Sequence, residues 1–243
     1  MIKVLDNVDC GRGISTGAKF KSEAHAISEA LGNKTIILNE ECDDCNSYFD
    51  QFIERDLITY LNLFRTFFGI MNKSNKVPTI KGKNFEYSNL GKNKISLKVY
   101  SDDEEADEDI NPDLNISLKY NEKIVAQNLY KALVKFALSI FDTTDLIGFD
   151  ETIKWIRNPG FKDKLPKVAH LISYEFFKSQ PRVMVYLRTS NDDSLPYAVG
   201  EFHFTCFTYV FIIPTFSNLE PDFTNQDHFS KFWKFFKHFS MIE

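Results

Sequence analysis

Three side chains in a short stretch near the N-terminus are of types that carry out hydrolytic chemistry. His25 lies between apolar residues, Asn33 follows a glycine, and Asn46 comes directly after the pair Cys42-x-x-Cys45. A histidine titrates near neutral pH and can accept the proton of an attacking water. An asparagine offers an amide oxygen, a kind of ligand that hard divalent cations prefer. The stretch therefore predicts a general base, His25, and a cation ligand, Asn46.

Each of these residues also has a purely structural interpretation. An isolated histidine on a strand is more often a half-buried structural residue, since a titratable group marks a functional site only statistically. Gly32 and Asn33 are typical of a turn, because asparagine tolerates left-handed backbone. Asn46 is also a good N-cap residue, and a cap would use the same oxygen as a cation. It is the ordered set that favours catalysis.

The cysteines suggest a structural zinc site. A Cys-x-x-Cys pair lets Cys42 and Cys45 reach one tetrahedral zinc ion, and Cys10 is a suitable third ligand. Asp6 or Asp9 would then complete the set. Two alternatives stay open: the site has decayed and binds no zinc, or the two cysteines form a redox pair, for which a thioredoxin-like context is lacking.

The histidine requires a strand to present it. The stretch 20–27 alternates loosely between apolar and polar residues, as a strand does. Because residues two apart share a face of a strand, Glu23 and His25 would point the same way and Ala24 the opposite way.

A loop, a second strand and a helix follow in the predicted order. A turn signal at 31–34 predicts the loop, and the β-branched run 35–38 predicts the strand. From Asn46 to residue 68 apolar residues recur at helical spacing, and Gly69 is a suitable stop.

This order resembles the HNH endonucleases, whose ββα-metal module uses a histidine, a loop asparagine and a helix-borne asparagine or histidine. The Cys-x-x-Cys-Asn knuckle is similar to the zinc-stapled branch of that family. The resemblance covers roughly residues 10–70 and implies a metal-dependent endonuclease that hydrolyses phosphodiester bonds in DNA. It implies that His25 is the general base and that Asn33 orients the loop.

The same resemblance implies that Asn46 helps to hold a catalytic Mg²⁺ or Mn²⁺ ion. The family usually places an acidic residue or a histidine directly before the catalytic histidine, whereas this chain has Ala24 there. Glu23, from the face of His25, or Asp50, one helical turn after Asn46, would take over as a ligand. With fewer oxygen ligands from the protein, we expect the catalytic ion to bind weakly.

The rest of the chain predicts a larger region rich in aromatic residues. Of the 243 residues, 24 are phenylalanine. We therefore expect an α+β fold in which an HNH-like module, residues 1–70, precedes an α+β domain, residues 71–243, with an aromatic core of its own. The stretch 167–177 fits either a strand or a helix. Periodicity predicts strands over 95–100, 115–120, 182–189 and 197–213, and helices over 125–141, 150–157 and 226–239.

Charge is distributed unevenly along the chain. A net formal charge of −5 argues against non-specific binding of nucleic acid by the whole surface. The lysines between residues 73 and 94 either contact DNA phosphates or only solubilise the surface. Seven of the eight residues in the run 102–109 are acidic. This run is predicted to be a solvated loop that masks the basic patch or repels DNA.

The sequence has neither a secretory signal nor an apolar run long enough to span a bilayer, so we expect a cytoplasmic protein without a membrane partner. DNA is the expected partner, and residues 71–243 would supply a homodimer contact or a surface for a protein partner. The alternative function is a catalytically degenerate HNH-fold module that binds nucleic acid or protein. HNH modules also occur in effectors of prokaryotic defence, which the resemblance suggests as a third role.

Overall fold

The computed structural model describes residues 19, 21–38, 41–92, 94–100, 123–141, 146, 148–158, 168–172, 180–189, 191–193, 195–216, 227, 230 and 234. These residues form the predicted α+β fold, in which two short strands and a long helix precede a larger, sheet-rich part with clusters of aromatic side chains.

The N-terminal elements follow the predicted order of strand, loop, strand and helix. Strand β1 (Ala24–His25) pairs antiparallel with β2 (Ile37–Leu38), and a 3-10 turn (Glu29–Leu31) lies between them. Gly32 ends that turn with a φ of 93°, a left-handed conformation that glycine adopts without the steric cost of a Cβ atom. Both strands are shorter than the alternation predicted.

A long helix follows in three consecutive segments. Helix α1 (Asp43–Tyr48) continues through a π-helical segment (Phe49–Glu54) into α2 (Arg55–Phe67). The helix therefore begins at Asp43 rather than at the predicted Asn46. Gly69 follows it with a φ of 69°, as expected of a residue that stops a helix.

Two further antiparallel sheets lie beyond the long helix. The smaller one consists of β3 (Ile80–Lys81), β4 (Phe85–Gly91) and β5 (Lys94–Val99). The larger one has the order β6-β9-β8-β7 and contains β6 (Ala169–Ile172), β7 (Arg182–Leu187), β8 (Ala198–Phe204) and β9 (Phe207–Ile212). The strands predicted over 95–100, 182–189 and 197–213 are confirmed, the last as two strands, and the undecided stretch 167–177 contains β6.

Helix α3 (Ala126–Leu138) lies at the centre of the core. Every residue from Tyr130 to Ser139 is buried, so this part of the helix has no solvent-facing side. It contacts α2, the π-helical segment, α4 (Asp150–Arg157) and strands β7, β8 and β9. The helices predicted over 125–141 and 150–157 are thus confirmed, although α3 from Tyr130 onward is buried on all sides instead of presenting one apolar face.

One hydrophobic cluster joins the two predicted parts of the chain. It includes Leu57 before residue 70 and Phe202 after it. The rings of Phe64 and Phe207 meet across the same boundary, with centroids 4.3 Å apart. The expectation that the second part has a core of its own is therefore wrong, while a division of the chain near residue 70 stays a prediction.

Three predicted features fall outside the residues that the structure describes: the strand over 115–120, the acidic loop 102–109 and, apart from three isolated residues, the helix over 226–239. Among the helices that are described, none is long and apolar enough to cross a membrane.

Candidate active site

His25 is presented by β1 with its side chain largely enclosed, 14% of it being exposed. Its Nε2 lies 3.7 Å from Oε2 of Glu29, which is on the 3-10 turn after the strand. Its Nδ1 is buried and has no hydrogen-bond partner among the residues that the structure describes. Buried polar atoms are rarely left unpaired unless water or a ligand meets them, so Nδ1 is an atom at which a water or a ligand is expected.

Glu29 connects His25 with Lys73. The carboxylate oxygen that faces His25 also lies 3.6 Å from Nζ of Lys73. Close by along the chain, Nζ of Lys34 donates a hydrogen bond of 2.8 Å to Oδ1 of Asn75. The ammonium groups of Lys73, which contacts the loop after the histidine strand, and of Lys34, which belongs to that loop, therefore both lie in this region.

The remaining lysines of the predicted basic segment lie on or beside the small sheet. They are all exposed to solvent. Because lysines that bind phosphate and lysines that only solubilise a surface are both exposed, their exposure does not distinguish the two roles. They are Lys76, Lys81, Lys83, Lys92 and Lys94.

Asn33 is buried in the loop between β1 and β2 and uses both ends of its amide. Its Nδ2 donates to the carbonyls of Ile27 (2.7 Å) and Ile36 (3.1 Å). Its Oδ1 accepts the backbone N–H groups of Thr35 (3.2 Å) and Ile36 (3.0 Å). The amide is therefore fully occupied by the loop backbone. The predicted turn is present, and its left-handed residue is Gly32 rather than Asn33.

Asn46 lies inside α1, where its backbone N–H bonds to the carbonyl of Cys42 at 2.9 Å. Cys42 is the N-cap residue and makes no side-chain cap, so the N-cap interpretation of Asn46 is wrong. The Nδ2 of Asn46 donates to Oγ of Ser22 at 3.4 Å. Because this bond uses the nitrogen, the amide oxygen is the atom that Asn46 can offer to a cation.

Asp43 links the segment before β1 to the start of α1 by hydrogen bonds. Its Oδ1 accepts three hydrogen bonds, from the backbone N–H groups of Lys21 and Ser22 (2.9 Å each) and from Oγ of Ser22 (2.6 Å). The bonds from Ser22 hold the pKa of Asp43 below its ordinary value. Ser22 thus joins Asp43 to Asn46 and keeps the histidine strand beside the helix.

The two residues before His25 have different surroundings. Ala24 is fully buried in a small cluster with Ala26 and Leu38, whereas Glu23 is exposed. A carboxylate at position 24 would enter that apolar cluster at a large desolvation cost. Within the described part of the chain, no three His, Cys, Asp or Glu side chains are grouped so as to hold a metal ion.

The Cys-x-x-Cys pair is buried at the beginning of α1. Cys42 and Cys45 are 5% and 8% exposed, carry free thiols and pack into the main core. The Sγ of Cys45 accepts a hydrogen bond of 3.5 Å from Nη2 of Arg157 on α4. Cys10, the expected third zinc ligand, lies outside the described residues, so the zinc site stays a prediction.

Sequence reasoning missed three residues of this region. Glu29 beside His25 gave no signal, because it lies between the predicted strand over 20–27 and the predicted turn over 31–34, and no pattern indicated the 3-10 turn that carries it. Asp43 was recognisable only as an acidic residue in the first turn of a helix, a common position. Lys135 of α3 donates to the backbone carbonyl of His25 at 2.9 Å, and no local pattern reports a contact between residues 110 positions apart.

The comparisons with known proteins bear on the N-terminal part of the chain. Residues 10–62 match the model of a family described as HNH endonuclease. Neither a search of curated proteins nor a search of solved structures found a match. The family match indicates a nuclease-type function in general, with nucleic acid as the kind of partner and a metal ion as the general requirement. The N-terminal segment that carries His25, Asn33 and Asn46 is therefore similar to the HNH endonucleases.

Proposed function

We propose that the protein is a metal-dependent endonuclease that hydrolyses phosphodiester bonds in DNA, with His25 as the general base. One observation carries this proposal: within the segment that matches HNH endonucleases, a ββα frame presents a histidine whose buried Nδ1 has no hydrogen-bond partner in the described part of the chain. A base must reach its proton directly or through one water, and a ring nitrogen that no described protein group engages can accept that proton once a water or the substrate reaches it.

In the proposed reaction Nδ1 of His25 takes a proton from water while the water oxygen attacks phosphorus. A new bond forms between phosphorus and that oxygen, the bond to one ester oxygen breaks, and the leaving oxygen receives a proton from solvent. The carboxylate of Glu29, 3.7 Å from Nε2, stabilises the imidazolium that results. Asn33 takes no part in the transfer, since its amide is occupied by the loop backbone.

The ββα unit offers two oxygen ligands for a cation that would be held weakly. Asn46 offers an amide oxygen and Glu23 an exposed carboxylate, which is enough for Mg²⁺, an ion that keeps several waters and is often held by one or two protein ligands together with substrate phosphate. When bound, Mg²⁺ or Mn²⁺ would neutralise charge on the leaving oxygen. We therefore expect half-maximal activity at about 1 mM divalent ion, in the range of the weakest oxygen sites.

A DNA substrate is supported by the lysines rather than by the overall charge. Lys34 and Lys73 lie beside the histidine loop, and five exposed lysines follow on and around the small sheet. Ammonium groups at such places would bind phosphates and set the position of the strand without reading its sequence.

The alternative is a catalytically degenerate module that keeps the HNH frame and binds nucleic acid or protein without cleaving DNA. It is favoured by Ala24, which is buried where the family usually has a metal ligand. Four further expectations stay predictions: a structural zinc ion at Cys42 and Cys45, a homodimer or protein partner bound through residues 71–243, a cytoplasmic location, and a role in prokaryotic defence.

A plasmid-nicking assay separates the two functions. Supercoiled DNA is incubated with the protein in chelator and then across a titration of Mg²⁺ and Mn²⁺ up to about 10 mM, well above the affinity of weak oxygen sites. The proposal expects nicked and linear products that require the divalent ion. Retarded but intact plasmid at every concentration would instead establish the binding module.

A further inference from the structure

A buried ammonium group from the second part of the chain contacts all three elements of the ββα unit. Nζ of Lys135 on α3 donates to the carbonyl oxygen of His25 on β1 at 2.9 Å. It also lies 2.9 Å from Oε1 of Glu54 in the π-helical segment and 3.5 Å from Oε2 of Glu41, which precedes α1. The His25 carbonyl and Glu54 are thus within hydrogen-bonding distance of the ammonium group, whereas Glu41 makes a longer ion-pair contact with it.

The cluster is shielded from water. The side chains of Lys135, Glu41 and Glu54 are 3%, 4% and 7% exposed. Burial disfavours the ammonium form of Lys135, but Glu54 and Glu41 outweigh that effect and raise its pKa. Lys135 is therefore charged when it binds the His25 carbonyl, and charge-assisted hydrogen bonds are about twice as strong as neutral ones.

The π-helical segment brings two of its residues to this ammonium group. In an α-helix, residues five apart point about 140° away from each other, because each residue turns the chain by about 100°. Yet Phe49 and Glu54 both meet Lys135: the ring centroid of Phe49 lies 5.5 Å from Nζ, and Glu54 makes the carboxylate contact. π-helical turns are rare and frequently occur at functional sites.

Strand β1 needs such support because it is very short. It consists of two residues paired with the two residues of β2, and short two-stranded ribbons are marginally stable by themselves. Beyond the strand pair, the N–H of Ala26 bonds to the carbonyl of Ile36 at 3.1 Å. The bond from Lys135 is thus one of few that fix the backbone of His25.

We propose that Lys135 is a positioning residue for His25, so that the second part of the chain sets the geometry of the catalytic strand. This inference rests on the proposed function, because it assigns the contact a consequence for hydrolysis. It also implies that residues 1–70 by themselves would present the histidine incorrectly.

The test replaces the whole cluster, because removing Lys135 alone would leave two buried carboxylates uncompensated. In the full-length chain, Lys135→Met is combined with Glu41→Gln and Glu54→Gln. If this variant does not fold, a second one with Leu at both glutamate positions takes its place, since apolar replacement of a buried ion cluster is often neutral or stabilising. The matched control is Lys131→Met, one turn earlier on α3, where the buried ammonium binds the carbonyl of Asn158 instead.

Two measurements are made at matched folded fractions. The first is kcat and KM for plasmid nicking, and the second is hydrogen exchange of the Ala26 amide. We expect kcat of the cluster variant to fall about 100-fold, the cost of a misplacement of about 1 Å, with KM little changed. We also expect the Ala26 amide to exchange faster than in wild type. Lys131→Met should show neither effect.

The outcomes are distinguishable from those of the nicking assay on wild type. Unchanged kcat and unchanged exchange in a folded cluster variant would overturn the inference, and so would equal effects in Lys131→Met. If wild type does not cleave DNA, the proposed function fails by itself. The exchange of the Ala26 amide then still decides whether Lys135 fixes the strand.

Discussion

Two strand histidines with similar exposure have opposite surroundings. His25 on β1 is 14% exposed, and His203 on β8 is 12% exposed. The Nε2 of His203 lies 2.5 Å from Oε1 of Glu201, and its Nδ1 lies 3.2 Å from Oγ1 of Thr208. His25, in contrast, has its glutamate at 3.7 Å and a buried Nδ1 without a partner in the described part of the chain.

The contrast extends to the backbone that carries each histidine. Strand β8 has seven residues and is paired on both sides, by β7 and β9. Strand β1 has only two residues. Its position is therefore fixed by hydrogen bonds from side chains such as Asn33, Asp43 and Lys135, whereas in the larger sheet a backbone hydrogen-bond ladder fixes the strands. A satisfied polar network rigidifies a core. In His25 the network of side chains holds the backbone, and within the described part of the chain it leaves one ring nitrogen without a partner.

The largest effect on stability is expected from Asn33→Ala. The substitution removes four hydrogen bonds to the backbone of the loop, each worth about 1 kcal/mol, so the free energy of unfolding should fall by about 4 kcal/mol. Thr208→Val in the large sheet removes one contact with His203 and should cost about 1 kcal/mol. Urea unfolding of both variants measures the difference, and equal losses would contradict the view that β1 depends on side chains.

The two buried lysines of α3 should differ in their response to pH. Lys131 lacks the glutamates of Lys135, and burial lowers its pKa from 10.5 to about 8. The unfolded chain therefore binds more protons between pH 8 and pH 10.5, so wild type should gain stability over that window. A difference of about 2.5 pKa units corresponds to about 3 kcal/mol.

The comparison that isolates this effect is with Lys131→Met. The free energy of unfolding of wild type, relative to this variant, should rise as the pH increases from 8 to 10.5. A relative stability that stays flat across the window would show that Lys131 remains charged in the folded protein, as Lys135 does.

A smaller effect is expected from the glutamates beside the two histidines. Glu29→Gln removes the carboxylate that faces Nε2 of His25. A partly exposed ion pair is worth about 1 kcal/mol, so kcat should fall about tenfold or less. Glu201→Gln should lower stability without changing kcat, because Glu201 bonds only to His203 and Tyr186 in the described part of the sheet. Nicking rates at matched folded fractions compare the two, and an equal loss of rate would contradict the assignment.

Much of the fold could be predicted because its signals are local. In β5 and β7 apolar and polar residues alternate, which indicates burial that repeats every two residues. In α3 and α4 apolar residues recur at helical spacing, which indicates burial that repeats every 3.6 residues. The order of His25, Asn33 and Asn46 likewise indicated the ββα frame. The two strands of this frame are shorter than predicted, because the alternation of apolar and polar residues continues into turn residues. Among the described residues, those turn residues have no partner strand to form backbone hydrogen bonds with.

The remaining features could not be predicted because they depend on contacts between distant segments. Lys131 and Lys135 lie four residues apart and look like a polar helix face, yet both are buried, which charged residues rarely are unless paired. The partners of Lys135 lie more than 80 positions earlier in the chain. The burial of Ala24 and the shared core across residue 70 likewise arise only once the chain is folded.

The most direct measurement compares His25→Ala with His203→Ala in the metal-dependent nicking assay at matched folded fractions. Removal of a general base costs about 10²–10⁴ in rate, so His25→Ala should lose at least about 100-fold in kcat while keeping its fold. His203→Ala should lose stability and keep its kcat within about twofold. Wild-type cleavage by His25→Ala, or an equal loss in both variants, would show that the unpaired Nδ1 of His25 is not the base.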